Sequence, residues 1–171
     1  MITLDQWPSP GRYELEKLYS EVHQKYCLVQ LAVPLEENAT QRYLQGIHTG
    51  VIDDKQLLCR AVRLDDQIIG KIDLNRYPSG AAEIDIVITA AHTGKGYGAE
   101  ALRQIISEVS EQKWCTAMHA YVHSENMHAR KLFLKTGFRP GSRFQADVMI
   151  PGKNGYRFKT VDGYEYILYL Q

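Results

Sequence analysis

The chain has 171 residues, with 20 Lys plus Arg balanced by 20 Asp plus Glu, so its formal net charge is zero. The hydrophobic fraction of 44% and the charged fraction of 23% are ordinary for a globular protein and exclude collagen, coiled coil and disorder. The length predicts a single domain over 1–171, with a core from about 12 to 170 and a lead-in over 1–11. Because there is no basic excess, we expect no nucleic-acid partner.

Compartment is predicted from signals that the sequence lacks. Its three scattered cysteines, Cys27, Cys59 and Cys115, have neither zinc-ligand spacing nor the even number of a disulfide framework. The first ten residues lack the basic and apolar regions of a signal peptide. The longest stretch without Asp, Glu, Lys or Arg, 114–124, is far shorter than the roughly 20 residues of a membrane-spanning helix. We therefore expect a soluble cytoplasmic protein with no metal and no membrane partner.

The first third of the chain predicts one strand and two helices. Alternating apolar and polar residues over 12–18 predict a short strand. Apolar residues at steps of four, three and four over 22–33 predict a helix, which Pro34 ends. Asn38 is predicted to cap a second helix that includes Ile47.

The rest of the chain predicts strands interleaved with two helices. Two strands, 57–64 and 67–74, form a hairpin in which Gly70 marks a bulge or a close backbone approach. The remaining predicted elements are a strand over 83–89, a helix starting just after Gly98, a strand over 117–122, a short helix around 129–133 that Gly137 stops, and strands over 144–149 and 164–170. The order β-α-α-β-β-β-α-β-α-β-β predicts an α/β (α+β) fold with a single mixed sheet flanked by helices.

A glycine loop, residues 94–98, joins the strand over 83–89 to the following helix. Gly94, Gly96 and Gly98 remove Cβ atoms where a ligand would approach the backbone, and Lys95 adds a cation. The loop ends at a helix N-terminus, whose unpaired N–H groups favour an anion such as phosphate. A turn that only starts a helix is the structural alternative, but one glycine would be enough for that.

A dinucleotide site is the other phosphate-binding alternative for this loop. Gly94, Gly96 and Ala99 satisfy the pattern G-x-G-x-x-A, but residues 90–93 separate them from the strand. No acidic residue lies between Glu111 and Glu125, where a ribose-binding carboxylate is expected. A dinucleotide-dependent oxidoreductase is therefore the less favoured hypothesis.

A second cluster follows the strand over 117–122. Asn126, Ala129 and Phe133 have the spacing i, i+3, i+7 and share one face of a helix. Core packing would explain Ala129 and Phe133, whereas Asn126 is either a helix cap or an amide that contacts a ligand.

Together these segments resemble a known family. Residues 88–99 are similar to the acyl-CoA-binding motif of the GNAT N-acetyltransferases, and residues 126–138 to its second motif, N-x-x-A-x-x-x-[YF]-x-x-x-G-F. The resemblance covers about 12–170 and implies the acyl-CoA N-acyltransferase fold. It also implies acetyl-CoA as co-substrate and transfer of its acetyl group, by direct attack, to a primary amine of a small molecule or peptide.

The resemblance also places the site. It implies that the backbone of 94–99 holds the pyrophosphate, that pantetheine lies beside a bulged strand ending at Ile88 and Thr89, and that the Ile88 amide binds the acetyl carbonyl. Strands 83–89 and 117–122 would splay apart to admit both substrates. The cofactor-binding residues so implied are Ile88, Thr89, Thr93, Gly94, Lys95, Gly96, Tyr97, Gly98, Ala99, Asn126, Ala129 and Phe133.

Two positions depart from the family pattern. Thr93 stands where an arginine or glutamine is usual, so Lys95 and the backbone amides must hold the pyrophosphate. Phe133 stands where a tyrosine often protonates the departing thiolate. The lost acid leaves a catalytically weak CoA-binding sensor or interaction module as the alternative function.

The amine must lose a proton before it attacks, because its pKa is about 10.4. Glu83, which alternates with Asp85 on one face of the central strand, and His123, at the end of the next strand, are the candidate bases; Glu83 could also be a solvated acid. The other histidines are expected at the surface or in packing. Tyr164 and Tyr166 predict sheet packing, an acceptor pocket or a dimer edge, so a homodimer stays open.

Overall fold

The computed structural model describes residues 1–28, 33–153 and 155–171. Its helices and strands in chain order are β1 (Ile2–Gln6), α1 (Arg12–Glu21), α2 (Glu37–Thr49), β2 (Val51–Ile52), β3 (Lys55–Leu64), β4 (Gln67–Arg76), β5 (Ala81–Ile88), α3 (Tyr97–Glu111), β6 (Ala117–His123), α4 (Met127–Lys135), β7 (Arg139–Gly152) and β8 (Gly155–Tyr169). A single 3-10 turn, Ala90–His92, lies between β5 and α3.

Within the described residues, all eight strands belong to one sheet, in the order β1-β3-β4-β5-β6-β8-β7, with β2 paired to β3. The β5–β6 pair is parallel, and the other pairs in this sheet are antiparallel. This single mixed sheet with four helices confirms the predicted fold class.

Helices cover both faces of the sheet. Leu102 of α3 and Phe133 of α4 pack against Ile84 of β5 and Met118 of β6 in the larger core cluster. On the opposite face, α1 and α2 pack against β3 in a second cluster. Because side chains alternate along a strand, Glu83, Asp85 and His119 project to the α1–α2 face.

The first strand and the first helix lie closer to the N-terminus than the sequence predicts. The strand predicted over 12–18 is wrong, because this segment is α1, which buries Leu15 and Leu18 three residues apart on one helical face. The first strand is β1, inside the segment predicted to be a lead-in, and it pairs with β3. Ile2 of β1 is buried in the larger core cluster, and Leu4 packs against that cluster.

The helix predicted over 22–33 is also wrong for the residues that can be described. Val22 is extended, and 23–28 contain no helix; residues 29–32 lie outside the described residues. The helix predicted next exists, but Glu36 caps α2 by accepting hydrogen bonds from the N–H groups of Asn38 and Ala39. Asn38 therefore lies inside the first turn.

The predicted hairpin is confirmed as β3 and β4, and Gly70 has the predicted role. The β3–β4 register shifts between Val62 and Arg63, so that Ile69 is the extra residue of a bulge. A Cβ atom at Gly70 would lie 2.4 Å from the carbonyl oxygen of Val87. Only glycine fits this close approach of β4 to β5.

No helix in the described ranges combines the length and the apolar character needed to cross a bilayer.

Candidate functional site

The site is centred on a gap between β5 and β6. These two strands pair through only three residue pairs, the last of which is Glu83 with His119. Beyond it, β5 stays paired with β4 as far as Ile88, and β6 stays paired with β8 as far as His123. The two strands therefore diverge into a V-shaped gap that opens towards their C-terminal ends.

The edge of β5 presents backbone groups to this gap. The N–H of Thr89 donates to the carbonyl oxygen of Ile69 on β4 at 2.8 Å. Since backbone groups alternate sides along a strand, the N–H of Ile88 points away from β4 and towards the gap. The bulge predicted in the strand ending at Ile88 is wrong: the β4–β5 register is regular, and the bulge lies in β4. Val22 forms an isolated bridge with Thr89, so the segment after α1 crosses the end of β5.

The glycine loop presents an open backbone surface. Gly94 and Gly96 have φ angles of 79° and 88°, and a Cβ atom at either would meet nothing within 4 Å. Gly96 is the N-cap of α3 and makes no side-chain capping bond. The N–H groups of 94–98 donate to no backbone acceptor among the described residues. These groups and the exposed Lys95 form a seat that fits a phosphate group.

Several side chains of the first motif are committed to internal contacts. The Thr93 hydroxyl donates to the carbonyl oxygen of Thr89 at 3.1 Å, so its proton is not available to a phosphate. Thr89 is 1% exposed, and its hydroxyl lies 2.8 Å from Nδ1 of His92. Gly98 faces Leu132 of α4, while Ala99 is buried and Tyr97 half-buried. In this loop the backbone, more than the side chains, is free to bind a ligand.

The second motif is mostly structural. Oδ1 of Asn126 accepts a hydrogen bond from the Ala129 N–H at 3.1 Å and caps α4. Phe133 is 4% exposed and packs against Phe138 and Tyr166, with ring centroids 5.0 and 6.2 Å away. Tyr166 is buried as well, so its predicted alternative role in an acceptor pocket gives way to packing.

The structure separates the two predicted bases. Glu83 lies on the last paired rung, where it accepts a hydrogen bond from the Tyr77 hydroxyl at 2.6 Å. His123 lies at the far end of β6, where its Nδ1 accepts the Glu125 N–H at 3.1 Å. Its ring also packs against Tyr26, with centroids 5.4 Å apart. The residue opposite Glu83 is His119, not His123.

Sequence reasoning missed a buried ionic network on the α1–α2 face. Lys71 Nζ, in a side chain that is 2% exposed, contacts the carboxylate of Asp73 and donates to the Tyr43 hydroxyl at 2.9 Å. The Tyr43 hydroxyl donates to Asp73 Oδ2 at 2.6 Å. A lysine and an aspartate two residues apart in an otherwise apolar strand were the sequence signal for it.

Asp85 lies on β5 directly opposite Asp73, in the part of β5 that has left β6. Desolvation by the surrounding protein raises the pKa of Asp85, and the positive charge of the nearby Lys71 lowers it. Because the Asp85 side chain is itself exposed to the open cleft, water limits this rise. Asp85 is thus a carboxylate on the cleft floor, beside an aspartate whose charge Lys71 already balances.

A second missed group joins β6 to β8. His119 Nδ1 lies 2.8 Å from Oε1 of Glu165, a contact between residues 46 positions apart. The Ser142 N–H at 3.3 Å and the Tyr121 hydroxyl at 3.5 Å also donate to Glu165. His119 is partly exposed, as predicted for a surface residue, but it also has a specific polar partner that the sequence did not indicate. We call Lys71, Asp73, Asp85, His119 and Glu165 the charged face.

Two further features lie outside this site. A depression of about 550 Å³ between α1 and the β3–β4 turn contains none of the predicted site residues. In the described ranges, no group of three or more His, Cys, Asp or Glu side chains could hold a metal ion.

The description "Acetyltransferase (GNAT) domain" belongs to a family model that matches residues 10–139, more than half of the chain. The chain belongs to the GNAT acetyltransferase family. A search of curated proteins finds no significant match. Solved GNAT structures share the fold over nearly the full length of both chains.

Three of these structures illustrate how similar the solved relatives are to this chain. Spermidine N-acetyltransferase from Vibrio cholerae, in complex with CoA and spermine, is 19% identical over 98% of this chain and 95% of its own, with a TM-score of 0.74. An acetyltransferase from Salmonella typhimurium that modifies the N-terminal serine of ribosomal protein L7/L12 is 13% identical over 99% and 95%, with a TM-score of 0.77. A putative acetyltransferase from Salmonella typhimurium, with acetyl-CoA, is 17% identical over 100% and 95%, with a TM-score of 0.72.

Proposed function

We propose that this GNAT protein transfers the acetyl group of acetyl-CoA to a primary amine by direct attack. The observation that carries the proposal is the divergence of β5 and β6 beyond Glu83 and His119, next to the open glycine loop. A gap of this kind gives two substrates access to one point from opposite faces of the sheet. Family membership and the solved relatives with CoA or acetyl-CoA support the assignment.

Acetyl-CoA would supply the activated thioester, and the residues present fit it. The unpaired N–H groups of 94–98 and the exposed Lys95 would hold the pyrophosphate. The amide of Ile88, directed into the gap, would donate to the acetyl carbonyl oxygen and stabilise the negative charge that develops there, an effect worth several kcal/mol in comparable sites. Pantetheine would lie along the gap-facing edge of β5 near Ile88, next to the point where Val22 bridges Thr89.

The acceptor would enter from the α1–α2 face. Asp85 lies exposed on the cleft floor there, whereas Lys71 already balances the charge of Asp73. Asp85 would therefore attract an ammonium group. This favours a small-molecule or peptide amine as acceptor; the solved relatives named for spermidine and for an N-terminal serine represent both kinds.

A CoA-binding sensor is the second candidate, and one observation favours it. Phe133 has no hydroxyl and is fully packed between Phe138 and Tyr166, so it cannot protonate a departing thiolate. A thiol with a pKa of about 8.5 is nevertheless an adequate leaving group as the thiolate. The absence of this acid therefore slows the transfer without forbidding it.

Calorimetry and turnover separate these functions. We expect acetyl-CoA and CoA to bind and NADH not to bind, which would exclude a dinucleotide enzyme. Release of CoA from acetyl-CoA, measured with spermidine and with a peptide that begins with serine, then separates an acetyltransferase from a sensor. Tight binding without release would favour the sensor, and no binding of acetyl-CoA would refute the proposal.

A further inference from the structure

We propose that His119, oriented by Glu165, is the base that removes the proton from the acceptor amine. This inference rests on the proposed acetyl transfer and names a residue of that same site. It starts from the contact between Nδ1 of His119 and Oε1 of Glu165 at 2.8 Å.

The partner of Nδ1 fixes the proton positions on the ring. A carboxylate can only accept a hydrogen bond, so Nδ1 of His119 must carry a proton. In the neutral ring, the lone pair is then on Nε2. Because Nδ1 is directed to Glu165 on β8, Nε2 is turned away from β8, and the strand on the other side of β6 is β5. The ring is held as a proton acceptor directed away from its orienting partner, the arrangement typical of catalytic histidines.

The position of His119 fits this role. It pairs with Glu83 on the last rung before β5 and β6 diverge, so its side chain lies at the vertex of the gap on the acceptor face. The side chain is 26% exposed, whereas that of Glu165 is 16% exposed. The base is thus accessible from the cleft, and the residue that orients it is more protected.

The ionisable groups around His119 are mostly acidic. Glu83 and Asp85 lie on β5, Glu165 lies on β8, and the Tyr77 and Tyr121 hydroxyls border the acids. Arg139 of β7 lies one strand beyond Ile167 in the same row. Lys71 of β4 is a second cation on this face, but Asp73 balances its charge, so negative charge predominates around the ring.

The two bases predicted from the sequence are less well arranged. The ring of His123 accepts a backbone N–H at Nδ1, so its proton lies on Nε2 and it has no free lone pair for the amine. The carboxylate of Glu83 already accepts a hydrogen bond from Tyr77. That bond occupies one of its two oxygens, and Glu83 also places a negative charge across the rung from His119.

Proton transfer to His119 precedes formation of the amide bond in the proposed step. The acceptor ammonium gives one proton to Nε2 of His119, which leaves a lone pair on the amine nitrogen. That nitrogen forms a bond to the acetyl carbonyl carbon, and the C–S bond breaks with its electron pair on sulfur. The second amine proton goes to the thiolate, and the imidazolium returns the first proton to water.

The ring tautomer provides a test that needs no turnover. In the protein without substrates, the nitrogen chemical shifts of His119 should show a protonated Nδ1 and an unprotonated Nε2. Glu165→Ala should remove this preference, whereas Glu21→Ala, outside the site, should leave it intact. An unprotonated Nδ1 in the wild type would overturn the proposal.

Kinetics with acetyl-CoA and spermidine or the serine peptide provide the second test. His119→Gln should lower kcat by about 10²–10⁴, the usual contribution of a general base, with unchanged affinity for acetyl-CoA. The loss should shrink at high pH, where the amine is already neutral. His48→Gln, on α2, is the control and should behave as the wild type.

Chemical rescue separates a base from a structural residue. Imidazole added to His119→Ala should restore part of the rate, and added to His123→Ala it should restore none. The proposal is refuted if His119→Gln keeps the wild-type kcat and pH profile, or if Glu83→Gln or His123→Gln costs more. Failure of the acetyltransferase proposal itself would differ, because the wild type would then not release CoA with any amine.

Discussion

The two sides of the gap are built in opposite ways. The glycine loop offers backbone N–H groups on an open surface, and a Cβ atom at Gly94 or Gly96 would touch nothing. The charged face consists of side chains from β4, β5, β6 and β8, among which Lys71 pairs with Asp73 and His119 pairs with Glu165. One side can therefore be altered without loss of the fold, whereas the other side is also part of what supports the fold.

The largest effect should come from breaking the buried ion pair of the charged face. Asp73→Ala removes the carboxylate that Lys71 contacts and leaves its buried cation with the neutral hydroxyl of Tyr43 and the more distant charge of Asp85. Removal of one partner from a buried ion pair costs about 3–5 kcal/mol. We expect urea denaturation to show a loss of this size in the free energy of unfolding.

A double variant distinguishes a lost charge partner from lost packing. Lys71→Met combined with Asp73→Leu replaces both charges by apolar groups of similar size, which is often neutral. It should recover most of the stability. If Asp73→Ala alone cost less than about 1 kcal/mol, Lys71 would have another way to satisfy its charge, and the proposed difference between the two sides would not hold.

The difference between the glycine loop and the charged face also explains which parts of the site the sequence could predict. The glycine loop is local: three alternate glycines before an amphipathic helix predict both the loop and an anion-binding role for it. The His119–Glu165 contact joins residues 46 positions apart, and Lys71 meets Tyr43 across 28 positions. Such contacts depend on strand order and register, which a single sequence does not specify.

The first third of the chain illustrates the same limit. The predicted order of elements is the observed order apart from β2, although the first strand lies at Ile2–Gln6 and the first helix at Arg12–Glu21. Over seven residues, the apolar positions of α1 fit a strand or a helix equally well. Only burial against the sheet, which Leu15 and Leu18 share, selects the helix.

A bulky side chain in the glycine loop should have the next largest effect, on binding instead of stability. Gly96→Trp places an indole on the open anion seat and strains a backbone with a φ of 88°. We expect the Kd for acetyl-CoA to rise roughly 100-fold, or about 2.8 kcal/mol. Calorimetry measures the affinity, and circular dichroism should show a retained fold.

The matched control is Gly155→Trp in the β7–β8 turn. Gly155 also has a positive φ, 119°, and open space at its Cβ position, so the substitution carries a similar backbone penalty outside the site. Its affinity for acetyl-CoA should match the wild type. Equal losses in both variants would mean that backbone strain, and not the anion seat, caused the effect.

Removal of the Lys95 charge from the glycine loop should have a smaller effect on the affinity for acetyl-CoA. Lys95 is exposed, so water and salt screen its charge, and an exposed ion pair contributes only about 0.2–1 kcal/mol. Lys95→Ala should weaken acetyl-CoA binding about two- to five-fold and reduce its dependence on salt. Lys113→Ala, after α3, is the control. A loss as large as that of Gly96→Trp would show that the side chain, not the backbone, holds the phosphate.

The smallest effect should be a pH dependence of stability that originates at Glu165. The hydrogen bond from His119 is the main cause that lowers the pKa of Glu165 below its ordinary value of 4.5. Folding therefore favours the ionised carboxylate, which stabilises the protein above pH 4.5. That contribution is lost as the pH falls through the lower pKa of the folded state.

The variant Glu165→Gln has no ionisable group at this position, so it has no such contribution to lose. The difference in thermal midpoint between wild type and Glu165→Gln should thus narrow from pH 7 to pH 3, while Glu21→Gln follows the wild type. Parallel curves for wild type and Glu165→Gln would mean that His119 does not hold this carboxylate, and the charged face would then lack the partner that orients its base.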